Sequence, residues 1–301
     1  MGVIIMDYIF VGIATLLLAF EFACSKKYQM NEGTDLSAGL KFNAVSGLLT
    51  IIVFFALSGF RFEFTAFSLV MAFAMATCAA LYSIIGFRVL RMGNMSVYSM
   101  FLMSGGMLLP YIFGLVFLSE TINPFRIVGI FVILAAVVLS NFGRISFKPS
   151  FLILCLAVFV LNGFVSILSK CHQANGELAL IKHFETVGSA AFVMYAGLAK
   201  FILSSIALLF CRKSKQGNNA PFFSSKLSFL IILGAAAIGG VSYMLQLIGA
   251  KTLPATALYP MVTGGSIVFS SLSGLIFFKE KLSVFQIISV VLAFAGTLLF
   301  L

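Results

Sequence analysis

The stretch TGGSIVFSSLSGLIFFKEKLSVFQ, Thr263 to Gln286, has a counterpart earlier in the chain: SGGMLLPYIFGLVFLSETINPFR, Ser104 to Arg126. Each carries a small hydroxyl residue, a Gly-Gly pair, a long apolar run, a lone Glu, a helix-start signal and a Phe. Further pairs surround them. SKKYQ (25–29) answers SKCHQ (169–173), GLKF (39–42) answers GLAKF (197–201), and IGFRVL (85–90) answers IGAKTL (248–253). The offsets of 144, 159, 163, 159 and 160 keep the order of the matches. A pattern repeated in order along a chain marks duplicated structural units.

The setting of the repeat follows from composition. Of 301 residues, 61% are hydrophobic and 9% charged, and the mean hydropathy is +1.15. Soluble domains have about 45–50% apolar and about 25% charged residues. This chain lacks the polar surface to cover a globule in water. Apolar segments near the ~20 residues of a membrane span occur at about 5–25, 37–58, 64–87, 96–118, 124–142, 150–169, 188–211, 227–250, 254–278 and 284–301. The polar interludes at 25–35, 170–186 and 211–226 are too short for a soluble domain, which excludes catalysis in one.

These observations predict an all-α integral membrane protein with ten transmembrane helices. It is built as two five-helix repeats, 1–145 and 146–301. Because five is odd, the second repeat enters the membrane from the opposite side, giving an inverted pair related by an axis in the membrane plane. That architecture suits alternating access to a central cavity. MGVIIMD, before the first span, lacks the basic residues of a signal peptide. The five cysteines are scattered without metal-ligand or disulfide spacing. A net charge of +10 fits basic loops against anionic headgroups rather than nucleic acid.

The segment AKTLPATALYP…GG…GLIFFKEKLS…QIIS…G (250–296) and its looser first-half copy at 86–129 resemble the EamA family of the drug/metabolite transporter superfamily. The resemblance covers essentially the whole chain. It implies a multi-pass cell-membrane carrier, often an exporter of amino acids or related small organic molecules, with no bound cofactor. Lys41-Phe42 and Lys200-Phe201 match the family's basic-aromatic pair, and Glu120 and Glu280 match its Glu between the fourth and fifth helices. The family's Trp-Gly in the first helix is absent. LAFEFA (18–23) and LNGFVS (161–166) stand in those places.

Individual residues carry competing readings. Glu21 is either a cavity acid for proton coupling or a substrate amine, or an interfacial residue beside Lys26 and Lys27 at the end of a span. Lys41 and Lys200 either contact a substrate carboxylate or snorkel along apolar stems. Asn162 either bridges helices or serves as a cavity amide, with the cavity favoured by its place on a cavity-lining helix. Tyr82, Tyr98, Tyr243, Gln246 and Tyr259 are further cavity candidates, and Tyr243 and Gln246, three apart, share a helix face. Gly105, Gly106, Gly264 and Gly265 serve close packing or, with Pro110 and Pro260, bending. Glu120 and Glu280 are expected to be interfacial, as structural clamps in tight connections or, alternatively, as gates, with Asn123-Pro124 and Ser283 starting the helices that follow.

Two orientation arguments disagree. Lys and Arg number thirteen on the side opposite the N-terminus and five on the N-terminal side, which by the positive-inside rule puts both termini outside. The family resemblance implies both in the cytoplasm. The expected partners are a small-molecule substrate, with protons as the candidate coupling ion, and the bilayer. The competing classes are a non-transporting membrane scaffold with a carrier fold and an intramembrane enzyme. The latter lacks clustered His, Asp or Cys; both histidines, His172 and His183, are read as lying in one loop.

Overall fold

Every backbone polar group in a bilayer must find a partner within the protein, which leaves helices as the solution for spans that do not close a barrel. A computed structural model, describing residues 2–91, 95–140, 149–178, 181–213, 225–279 and 281–301, contains ten α-helices and no strand among those residues. They are α1 Gly2–Glu32, α2 Leu36–Leu57, α3 Ala66–Arg91, α4 Met95–Phe117, α5 Pro124–Ser140, α6 Pro149–Gln173, α7 Ser189–Lys213, α8 Lys226–Thr252, α9 Ala255–Phe278 and α10 Val284–Leu298. Among the described residues, eight are long and apolar enough to cross a membrane. The helices α5 and α10, of 17 and 15 residues, are shorter than the expected segments. Each is led in by a cap read from sequence. Asn123 Oδ1 accepts from Phe125 N at 2.9 Å, and Ser283 forms a full capping box with Gln286.

Two boundaries move. α1 runs on through the polar stretch 25–32, and α6 continues through Gln173, so His172 lies on a helix and is buried rather than in a loop. Large apolar side chains such as Val116, Phe131, Leu209 and Val291 are exposed, as a lipid-facing surface requires. The buried core combines large side chains such as Phe54, Phe192, Tyr195 and Ile133 with alanines and serines where helices meet.

The order of packing is regular. α1 lies on α8 and α9, and α6 lies on α3 and α4. α3 also contacts α7, and α2 contacts α8. α2 packs on α7, α4 on α9, and α5 on α10. Exchanging α1–α5 with α6–α10 in order converts each of these contacts into another of the set or into itself. The α2–α7 crossing is tight. A Cβ on Gly47 would lie 2.7 Å from Gly197 O and 2.8 Å from Phe201 N, so the two backbones touch where only glycine leaves room.

The starts of α1, α3, α5, α7 and α9 and the ends of the even-numbered helices share one end of the bundle. Thr252 Oγ1 donates to Asp7 Oδ2 at 2.5 Å, Gly188 N donates to Glu63 Oε2 at 2.7 Å, and Ala255 N donates to Glu120 Oε1 at 2.6 Å. Both termini of the chain therefore lie at this end.

Candidate functional site

A cavity of about 520 Å³ opens among α1, α2, α3, α7 and α8, with Val165 of α6 also in its lining. Its lining begins at Leu36, the first residue of α2, and reaches Met75, Val165, Val193, Tyr243 and Gln246 at its deepest. Among the described residues most of the lining lies away from the end of the bundle that holds the termini, with Val193 and Gln246 the lining residues nearest to it. There the buried Ser68, His172, Phe192, Tyr195 and Leu247 fill the space. The cavity is thus open toward the end of α1 and the start of α2, and closed toward the start of α1.

Among the described lining residues only Glu21 and Lys200 bear full charges, and they are of opposite sign. Glu21 lies well within α1, which continues for another eleven residues to Glu32, so the interfacial reading of Glu21 gives way to a cavity position. Gly239 on α8 is what admits it, because a Cβ there would meet the Glu21 carboxylate. Lys200 Nζ stands 5.9 Å from the centroid of the Phe42 ring, within cation–π reach. Lys41, its repeat counterpart, is half-buried and outside the lining, so the matched Lys-Phe pairs do not have matched positions.

The remaining candidates divide. Tyr82, Tyr243 and Gln246 line the cavity. The Tyr243 hydroxyl is 3.1 Å from both Ser169 Oγ and Met75 Sδ, and Gln246 Nε2 donates to Ser242 Oγ at 3.3 Å. Asn162 departs from its cavity reading. Its Nδ2 donates to Leu102 O at 2.7 Å and ties α6 to α4 beside Gly106. Tyr98 likewise lies outside the cavity, packed against Val89, Phe151 and Cys155. Tyr259 is buried, with its hydroxyl donating to Ser166 O at 2.6 Å. In each case a polar tip in an apolar span has found a backbone carbonyl or a core slot rather than the cavity.

The Gly-Gly pairs sit at close approaches. A Cβ on Gly105 would strike the Phe159 carbonyl. One on Gly265 would lie 3.0 Å from Thr15 Oγ1, and one on Gly264 would meet the Thr297 hydroxyl. Pro110 and Pro260 lie inside α4 and α9, both buried, and neither interrupts its helix.

Glu120 is a clamp, but on a partner that sequence did not indicate. Its two carboxylate oxygens accept from Ala255 N and Thr256 N at 2.6 and 2.8 Å, capping α9 in the other half of the chain. Glu280 lies outside the described residues. Lys170, counted in the sequence as a loop cation, is 1% exposed, and its Nζ donates to Ala250 O and Leu253 O at the end of α8. Sequence reasoning missed this role. It also passed over the hydroxyl and amide lining of Asn43, Ser46, Thr50, Ser83 and Ser204. The available signal was the i, i+3 spacing of Asn43 and Ser46 with Thr50 four further on, one polar face on an otherwise apolar helix.

Comparisons with known proteins agree with this architecture. A solved structure described only as "Crystal structure of protein" has the same fold, with a TM-score of 0.74, 96% of each chain covered and 15% identity. No curated protein matches the chain. The model of the EamA-like transporter family matches residues 150–301, half of the chain. The chain is therefore a multi-pass membrane transporter, and it belongs to the EamA-like transporter family.

Proposed function

We propose that the chain is a secondary carrier of a small organic metabolite of the amino acid type, working by alternating access. The observation that carries this is the cavity itself, with one acid and one base in an otherwise apolar and hydroxyl-bearing wall. A zwitterionic solute answers such a wall. Its ammonium group faces Glu21, its carboxylate faces Lys200, and no uncompensated charge is brought between the helices. Among the described residues no three His, Cys, Asp or Glu side chains gather to hold a metal, and His172 is engaged with Ser68 and Gln173.

The repeats, 1–145 and 146–301, supply the machinery. The packing pattern maps onto itself when α1–α5 and α6–α10 exchange, which supports an inverted pair. A shape taken by one half is then available to the other, and exchange of the two shapes moves the opening of the cavity across the membrane. The boundary between the halves falls in 141–148, outside the described residues. Export across the cell membrane is the direction the family resemblance implies.

Proton coupling belongs to Glu21, the only acid among the described lining residues. Glu21→Gln is expected to abolish uptake driven by a pH gradient in proteoliposomes and to spare solute counterflow. An unchanged response to the gradient would remove Glu21 from coupling. The non-transporting scaffold is read by a different result: no thermal shift with any metabolite of a broad panel, together with no flux.

A further inference from the structure

The joint between α8 and α9 is held by side chains from four other parts of the chain. α8 ends at Thr252, and Leu253 and Pro254 lead into α9 at Ala255. A helix end leaves carbonyls without partners, and a helix start leaves N–H groups without partners. Pro254, the residue before α9, offers no side-chain cap. Both needs are met from elsewhere. Lys170 from the end of α6 gives Nζ to Ala250 O and Leu253 O at 2.8 and 2.9 Å. Glu120, from the α4–α5 connection, takes Ala255 N and Thr256 N. Thr252 is bonded to Asp7 of α1, and Arg126 Nη1 of α5 lies 3.4 Å from Thr256 Oγ1.

The charges have the favourable signs, a cation on the negative end of one helix and an anion on the positive end of the next. Charge-assisted hydrogen bonds are also about twice as strong as neutral ones. This arrangement sits at the closed end of the bundle. Opening the cavity toward that end requires the end of α8, whose earlier part forms a cavity wall, to part from α6 and α1. The bonds of Lys170 and Asp7 lie across those two contacts.

We propose that Lys170 and Glu120 form the latch that holds the cavity shut on the side of the termini, and that its release is a step of the transport cycle. They are positioning residues: neither lines the cavity, and both act through the ends of α8 and α9. The latch rests on the alternating-access reading but makes a claim of its own, about which state the resting protein occupies and which groups keep it there.

The test is hydrogen–deuterium exchange with mass spectrometry on the unsubstituted chain, Glu120→Gln and Lys170→Met in lipid nanodiscs. Weakening the latch is expected to accelerate exchange about tenfold in residues 187–195 and 247–253, the equivalent of ~1.4 kcal/mol. It is also expected to slow exchange by a comparable factor in residues 39–46 and 79–86 at the open end. This reciprocal change separates the latch from a merely structural brace, whose loss would loosen the first set and leave the second alone. Faster exchange at both ends, or a change at the closed end only, overturns the proposal. If Lys170→Met does not fold, Glu120→Gln decides alone, since it keeps shape and volume. If both fold and no segment changes, the latch is refuted. Solute counterflow by the unsubstituted chain would still stand, so this failure is distinct from failure of the transport reading.

Discussion

The crossing of α2 and α7 gives the sharpest quantitative prediction. Gly47 and Gly197 meet there backbone to backbone, and Gly197 also lines the cavity. In Gly47→Ala the new methyl would begin 2.7 Å from Gly197 O and 2.8 Å from Phe201 N. Ordinary contact begins at 3.4 Å, so the helices must part by about 0.7 Å. Neither obstacle is a side chain that can rotate away. Overpacking of this kind costs roughly 1–3 kcal/mol, partly offset by the better helix propensity of Ala, up to about 1 kcal/mol.

The control is Gly234→Ala on α8, where a Cβ meets nothing within 4 Å. It gains the same propensity without the clash. Fluorescence-detected size-exclusion chromatography after heating reads both variants in one detergent. Gly47→Ala is expected to lose several degrees, on the order of 2–4 °C per kcal/mol in chains of 150–250 residues. Gly234→Ala is expected to hold or gain. Equal behaviour of the two variants would refute the view that close backbone contact, rather than flexibility, explains the glycine.

Asn162→Ala is expected to cost about 1 kcal/mol of stability through loss of its bond to Leu102 O while leaving the solute KM unchanged. Gln246→Ala in the cavity wall should raise KM with little effect on melting. Those two measurements test the sorting of polar residues into clamps and lining. Ser283→Ala removes the capping box of α10 and is expected to cost about 1 kcal/mol, read as faster amide exchange confined to the first turn of that helix.

Much of this architecture was legible in the sequence, because bilayer thickness and apolar run length constrain each other. All ten segments became helices, and the caps at Asn123 and Ser283 stand where their residue types pointed. Helix ends were less legible. SKKYQ and SKCHQ read as loops by charge, yet both continue helices, since Tyr28 and Lys170 find carbonyl partners in neighbouring helices. Only tertiary contact could reveal those partners. The same limit explains the site. Tyr243 and Gln246 were legible as one face of a helix, whereas Asn162 looked identical in sequence and turned out to bind a carbonyl sixty residues away. The role of Glu120 was half legible: a clamp was expected in its own hairpin, and the bonded partner lies in the other half of the chain.

Counterflow in proteoliposomes addresses the transport claim most directly. Vesicles loaded with unlabelled amino acids and related zwitterions are diluted into trace radiolabelled solute. The account predicts transient accumulation of at least one of them above protein-free vesicles, saturable, and lost in Lys200→Met. Correctly folded protein that accumulates none of the panel would contradict it.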